Sequence, residues 1–205
     1  MLKIKIRRAI NKDLPRIYSI EKRSYTPQLQ ATHKVLEHRL NTFGIWVAEV
    51  NNNVVGFFTC IPTKLNWPNP NIKKILKNRK PYYLPWLKEY KRSKKFDTLF
   101  VTSTAVESKN QNKGIGTALI KYSLKLAKEL GLKYRASALR CEYKKYYSKT
   151  HRSIFDYINK LESKEIKDRF ISLYLKLGFK LYKPIRNYEY HKGSLNYNIF
   201  AYKKL

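Results

Sequence analysis

The stretch Gln111-Asn112-Lys113-Gly114-Ile115-Gly116-Thr117 joins two glycines, a cation and small polar side chains. Ahead of it, Leu99–Val106 is rich in β-branched and apolar residues and predicts a strand. Behind it, Ile115, Leu119, Ile120, Leu124, Leu126 and Leu130 recur at roughly helical spacing as far as Gly131, a C-cap candidate. A glycine-bearing turn that opens a helix lets an anion come close to the backbone, where first-turn amides and the positive dipole end hold it. The chemistry this predicts is the binding of a phosphate-bearing ligand. Other phosphate loops fit poorly, because GxxxxGK[ST] is absent and so is the G-x-G-x-x-G spacing of dinucleotide folds.

A second chemical residue is Tyr174, on a segment where Phe170, Leu173, Tyr174 and Leu177 fall at i, i+3, i+4 and i+7 before Gly178-Phe179. It is also one of 17 tyrosines and sits on an apolar helix face. His33 and His38 have no partner in sequence and read as surface residues. The cysteines Cys60 and Cys141 make neither a disulfide framework nor a metal site, so no metal is expected.

These residues need a folded body to position them. The chain has 205 residues, which suits one domain with a real core, and 43% hydrophobic content is ordinary for a globular protein. It contains no apolar run long enough to span a membrane. The start, MLKIKIRRAI, alternates like a strand and lacks the apolar centre of a signal peptide. With reduced cysteines, this predicts an intracellular, cytoplasmic protein, with nuclear or nucleic-acid-associated placement as the variant its charge suggests. That charge is 44 basic residues against 14 acidic, a formal net of +30. Such a field attracts polyanions and phosphorylated cofactors.

In order, Lys3–Ala9 reads as a strand and the segment from Asn11 or Asp13 to Ile20 as a helix with Pro15 in its first turn. Thr32–Leu40 is a second helix. Gly44–Val50 and Val54–Ile61 form a hairpin about Asn51-Asn52-Asn53, since Asn tolerates left-handed turns. After the central strand and helix come a strand over Lys133–Arg140, a segment Glu142–Thr150 without clear period, and a helix over Ser153–Lys167. The Phe170–Leu177 helix, a strand from Leu181 and a strand over Asn196–Lys203 close the chain.

With the loop after the fourth strand and Tyr174-x-x-x-Gly178-Phe179 after the fifth, this order resembles the GNAT superfamily of acetyl-CoA-dependent N-acetyltransferases. Gln111-x-x-Gly114-x-Gly116 matches that family's pyrophosphate loop, Tyr174…Gly178-Phe179 its late helix, and Asp13-Leu14-Pro15…Ile20-Glu21 its first helix. The resemblance implies an α/β (α+β) GNAT fold: a mixed, mostly antiparallel sheet of about seven strands flanked by helices. It covers residues 1–205 as a single acetyltransferase domain with insertions at about 64–96 and about 141–167.

By that resemblance, backbone groups of Ala105 and Val106 pair with the pantetheine arm of acetyl-CoA, and the Val106 amide also polarises the thioester carbonyl. Gln111, Asn112, Lys113, Gly114, Ile115, Gly116 and Thr117 form the loop whose amides hold the pyrophosphate, Lys113 adds charge beside it, and Tyr174 is the catalytic acid. Lys176 could also reach the cofactor. Relatives often place a Glu or His on the fourth strand as base. Here that face reads Phe100, Thr102 and Thr104, none of them a base. Glu21, Asp97, Glu107 and Glu142 are the nearest acids in sequence, and a water relayed by Thr102 or Thr104 is equally compatible. Where relatives carry an Asn seven residues before the tyrosine, Lys167 stands here.

The implied activity is direct acetyl transfer to a primary amine, foremost a protein N-terminus or lysine. The +30 field disfavours free polyamines. A different reading comes from Lys64–Phe96, where cations interleave with Trp67, Tyr82, Tyr83, Trp86, Tyr90 and Phe96 against the single acid Glu89. Basic residues with exposed rings can hold nucleic acid, which would make the chain a catalytically weak GNAT scaffold binding nucleic acid or another polyanion.

Overall fold

Alternation along β2 (Ile45–Val50) and β3 (Asn53–Thr63) builds the first half of the fold. Ile45, Val47 and Phe57 join Leu14, Ile17, Ile20, Val35, Leu36 and Leu40 in one core cluster. Trp46, Ala48, Phe58 and Cys60 point the other way, to Ile115, Leu119 and Leu126. One face thus carries α1 (Leu14–Ser24) and α2 (His33–Asn41), and the other carries α3 (Ile115–Glu129).

The computed structural model describes residues 2–70, 72, 96–189 and 191–205. They fall in two compact units, Met1–Arg135 with Leu205, and Ala136–Lys204. In the first unit, β1 (Lys5–Arg8), β2, β3 and β4 (Thr98–Val106) run antiparallel in that order. The β2–β3 turn is Asn51-Asn52, both at positive φ (49° and 61°), the type I′ geometry that Asn tolerates. Arg7 on β1 donates to both oxygens of Asp13, at 2.6 and 3.0 Å, and also to Glu49 on β2. The Arg7 bond, reinforced by the Ile10 amide, holds the Asp13 carboxyl below the usual carboxylate range against the upward push of burial.

In the second unit the strands run β5 (Tyr134–Arg140, its first two residues in unit one), β7 (Tyr197–Lys204) and β6 (Lys180–Arg186), with β6 and β7 antiparallel. It also holds α4 (Tyr143–Thr150), α5 (Ile154–Glu162) and α6 (Arg169–Lys176). Seven strands and six α-helices among the described residues make a mixed α/β fold, with antiparallel pairing of β1 with β2, β2 with β3, β3 with β4 and β6 with β7.

Three expectations change. The aperiodic stretch Glu142–Thr150 is helix α4, anchored by Tyr143, whose ring meets Tyr147, Tyr157 and Tyr197 at 5.6–5.9 Å. Tyrosines here supply the apolar face that a Leu/Ile count misses. The helix read over Ser153–Lys167 ends at Glu162, where Ser163 closes it and Lys164 takes φ +65°. Finally, Phe100, Thr102 and Thr104 do not share a face. The register jumps from Ser103↔Thr59 to Val101↔Cys60, so Thr102 is an extra residue in a β-bulge. Its hydroxyl is bonded to Thr59 Oγ1 (2.7 Å) and the Thr59 carbonyl (3.2 Å). As a result Val101 packs with the α3 cluster and Ala105 with the α1/α2 cluster, although four residues separate them.

Of the basic, aromatic segment, residues 73–95 lie outside the described residues, and with them Tyr82, Tyr83, Trp86, Glu89, Tyr90 and the lysines 91, 94 and 95. Its base is described. Asp97 accepts from the amides of Leu65 and Asn66, both at 3.0 Å, and from the Thr98 hydroxyl at 2.6 Å. The Asp97 amide donates to the Thr63 carbonyl, at 3.2 Å. Trp67 stacks on Tyr134 at 4.5 Å and donates to Thr98 Oγ1, so this ring pins the segment to the body. Asp97→Ala removes three acceptor contacts, and urea unfolding should show a loss of roughly 2–3 kcal/mol. A loss under about 0.5 kcal/mol would mean that the junction is held elsewhere.

Candidate functional site

β4 ends at Val106 and α3 begins at Ile115, and the residues between them are wired by their own side chains. Glu107 accepts from Asn110 Nδ2 at 3.0 Å, and the other end of that amide, Asn110 Oδ1, takes a bond from Lys113 Nζ at 3.3 Å. Gln111 Nε2 donates to the Val106 carbonyl at 3.1 Å, tying the loop back to the strand it left. Asn112 and Gly114 both sit at positive φ (63° and 81°), and Gly114 is the N-cap of α3 with no side-chain cap bond. The opening amides of α3 therefore have neither an intrahelical acceptor nor a capping oxygen from Gly114.

The two glycines differ from a third nearby. A Cβ added at Gly114 or Gly116 would meet nothing within 4 Å, whereas one at Gly56 would stand 2.9 Å from the Ala105 carbonyl oxygen and 3.2 Å from Val106 Cγ2. Gly56 thus serves β3–β4 contact opposite Val106. Gly116 has no such internal reason and leaves room beside the α3 N-terminus. These residues fit a pyrophosphate, which needs open backbone amides, a nearby cation and no intruding side chain.

Glu107 would oppose an anion there if it stood alone. It is 4% exposed, and Arg16 Nη2 reaches it at 2.7 Å, Arg23 at 3.5 Å and Lys109 at 4.0 Å. Burial pushes its carboxyl up, but the bond and charge of Arg16, with Lys109 and Asn110, hold it below the usual range. Arg16 Nε also donates to the Val54 carbonyl, joining α1, β3 and the loop. Tyr25, after α1, donates to the Thr104 carbonyl at 3.0 Å and meets Ser103 Oγ at 2.8 Å. The sequence alone did not assign either contact, because Arg16 and Glu107, like Tyr25 and Ser103, are far apart in the chain.

The other acids proposed from sequence are placed as follows. Glu21 is buried and accepts from the Ala31 amide at 2.8 Å, stapling the α1–α2 connection. Asp97 holds the junction described above. Glu142 is exposed, and its amide donates to Asp168 at 2.8 Å. His33 is exposed and meets Tyr18 edge-on at 5.8 Å, which suits its surface reading.

Ala105, Val106 and Gln111 through Thr117 all lie in the first unit, at the end of β4, in the loop after it and in the first turn of α3. Tyr174 lies in the second, on α6, and is 1% exposed between Phe170 (5.3 Å) and Phe179 (4.9 Å), both edge-on. The helix closes on Gly178 at φ +79°: the Phe179 amide donates to the Tyr174 carbonyl and that of Gly178 to the Leu175 carbonyl. This is a Schellman cap, and the ring contact between Tyr174 and Phe179 is its usual apolar companion. Lys176 is exposed.

Neither cysteine suits covalent catalysis. Both are buried and reduced; burial pushes the Cys141 thiol up to about 12 and raises that of Cys60 further. Among the described residues no group of His, Cys, Asp and Glu could hold a metal, and no helix is long and apolar enough to cross a membrane.

This fold and loop correspond to a known class. Residues 14–148 match the acetyltransferase (GNAT) family. No curated protein matches the chain significantly. Solved structures that resemble it include the loading GNATL domain of CurA from Lyngbya majuscula (TM-score 0.77, 14% identity, 98% of each chain). Another is the GphF GNAT-like decarboxylase in complex with isobutyryl-CoA (0.75, 16%, 98% of each). A third is the ribosomal-protein-S18-alanine N-acetyltransferase of Escherichia coli (0.58, 16%, 98% of this chain and 94% of that one). The chain belongs to the acetyltransferase (GNAT) family. The family is one of acyl-transferring enzymes, and a GNAT family acetyltransferase from Elizabethkingia anophelis of similar fold has acetyl-CoA bound (TM-score 0.55, 16% identity, 98% of each chain).

Two outcomes follow for this edge. Gly116→Ala should leave the melting temperature unchanged or higher, since Ala favours helix, while calorimetry shows acetyl-CoA binding weakened about tenfold; unchanged binding would remove Gly116 from the cofactor site. In the native protein at pH 8, iodoacetamide should label neither cysteine and leave activity intact, with both labelled in urea as read by mass spectrometry.

Proposed function

We propose that residues 1–205 act as one domain that transfers the acetyl group of acetyl-CoA directly to the α-amino group of a protein N-terminus. Ala105 and Val106 align the donor through their backbone, Gln111 through Thr117 hold its pyrophosphate, and the Tyr174 phenol gives its proton to the departing CoA thiolate. The observation that carries the choice of acceptor is the engagement of the acids. Glu21, Asp97 and Glu107 each hold amides, hydroxyls or arginines, and Glu142 is solvent-exposed. The acceptor then has to arrive as its own neutral amine. An α-amino group has a pKa near ~7.7–8.0 and a lysine near ~10.4, so at neutral pH the α-amine presents roughly 300-fold more of the reactive form. Solved relatives in fold include Arabidopsis thaliana Naa50 in complex with the bisubstrate analogue CoA-Ac-MVNAL (TM-score 0.59, 14% identity, 98% of this chain and 99% of that one), which supports a peptide acceptor.

A second reading has one observation in its favour. The TM-scores to the CurA loading domain and the GphF decarboxylase, 0.77 and 0.75, exceed the 0.58 and 0.59 to the N-terminal acetyltransferases. On that reading the chain decarboxylates a carboxyacyl-CoA.

The test uses acetyl-CoA with a peptide bearing a free α-amine and with an Nα-blocked peptide bearing one lysine. The expected kcat/KM ratio is about 100-fold or more in favour of the α-amine at pH 7, narrowing as pH rises. Lysine preference overturns the acceptor, and CO2 release from a carboxyacyl-CoA without any amine establishes the second reading. Tyr174→Phe should lower kcat by roughly 10²-fold with the KM for acetyl-CoA held within about twofold.

A further inference from the structure

Asp168 is 1% exposed and surrounded by donors. Its Oδ1 accepts from the amides of Phe170 (2.9 Å) and Ile171 (3.0 Å), the first turn of α6. Its Oδ2 accepts from the Glu142 amide (2.8 Å), just beyond β5, and from the Tyr157 hydroxyl (2.7 Å) on α5. A carboxylate taken out of water needs such a set of donors to be tolerated. An N-cap needs only one oxygen. The second oxygen is therefore spare as far as capping goes, and here it locks α6 to two other elements.

The helix it locks has eight residues, Arg169–Lys176, too short to hold its own geometry in water, where about 12–15 are marginal. Its placement is set by its ends. The far end closes on Gly178, and Lys203 Nζ donates to the Leu177 carbonyl at 2.6 Å. The near end is Asp168. Tyr174 lies between the two, with Phe170, from the turn that Asp168 caps, against its ring.

We propose that Asp168 is the positioning residue for Tyr174: its outer oxygen, through the Glu142 amide and the Tyr157 hydroxyl, fixes the axial position and rotation of α6 and so the place of the phenol. This rests on the reading of Tyr174 as the acid. Lys167, at the position where relatives carry an asparagine, is exposed and takes no part.

The decisive variant is Asp168→Asn. It keeps the cap, since Asn is as good an N-cap as Asp, but puts an amino group where the Glu142 N–H and the Tyr157 O–H need an acceptor. Misplacement by about 1 Å can lower a rate about 10²-fold. The expected result is kcat down roughly 10–100-fold, with the KM for acetyl-CoA close to the parent and the urea midpoint lowered, since the Glu142 amide and the Tyr157 hydroxyl lose their acceptor, while the protein stays folded under assay conditions. In a Tyr174→Phe background, Asp168→Asn should lower kcat by less than about twofold more, because the group it places is gone. Tyr157→Phe, which removes one donor and no helix contact, should show a smaller drop with the same non-additivity and carries the test if Asp168→Asn does not fold. Full kcat in Asp168→Asn, or losses that multiply in the double variant, overturn the proposal and leave Asp168 a packing residue. If Tyr174→Phe alone keeps the parent kcat, the acid assignment fails first and the positioning role falls with it.

Discussion

The ion pair between Arg16 and Glu107 is the contact on which the passage from β4 into α3 depends. It sits where β4 gives way to the loop before α3, and through the Val54 carbonyl it brings α1, β3 and that loop to one point. Glu107 is nearly inaccessible to water, so losing Arg16 would leave a buried charge with the neutral Asn110 amide at 3.0 Å and only long contacts to the cations Arg23 and Lys109. The pair also neutralises a carboxylate that stands at the start of the Gln111–Thr117 loop. The loop can then present backbone amides and Lys113 outward without an opposing field.

The same economy of acids runs through both units. With 44 cations and 14 acids, self-repulsion is the standing penalty of this chain. The buried and half-buried carboxylates are placed where they relieve it or tie elements together. Asp13 and Glu49 clamp Arg7, Glu189 meets Arg140 at 2.7 Å, and Asp168 gathers four donors. The surplus positive field suits a donor as anionic as acetyl-CoA and repels polycationic acceptors.

The parts of the fold legible in the sequence are those ruled by local backbone chemistry. The Asn51-Asn52 turn, the phosphate loop with Gly114, and the helix ends at Gly131 and Gly178 follow from residues that tolerate positive φ, and all four lie there. The spacing Tyr174-x-x-x-Gly178-Phe179 was readable too, but its physical content is a helix cap: a ring three residues inside the end packs on the residue after glycine. The pattern therefore argues for where α6 stops more directly than for what its tyrosine does. Illegible were features set by partners distant in sequence. The bulge at Thr102 depends on β3, Glu107 on Arg16, and the outer bonds of Asp168 on Glu142 and Tyr157. Helix α4 hid behind tyrosines and lysines, whose amphipathic character appears only once Tyr143 finds its neighbours.

The junction at Asp97 has a consequence for how this chain can vary. The Asp97 amide bonds the Thr63 carbonyl, and its carboxylate takes the amides of Leu65 and Asn66, so the two ends of the intervening stretch meet within hydrogen-bond distance. Once ends are joined, loop-closure entropy grows only logarithmically with length, about 0.6 kcal/mol per doubling. The strands on either side are thus thermodynamically insulated from what lies between them. Large changes in length and composition can accumulate at this one point of the chain while the pairing of β3 with β4 stays the same.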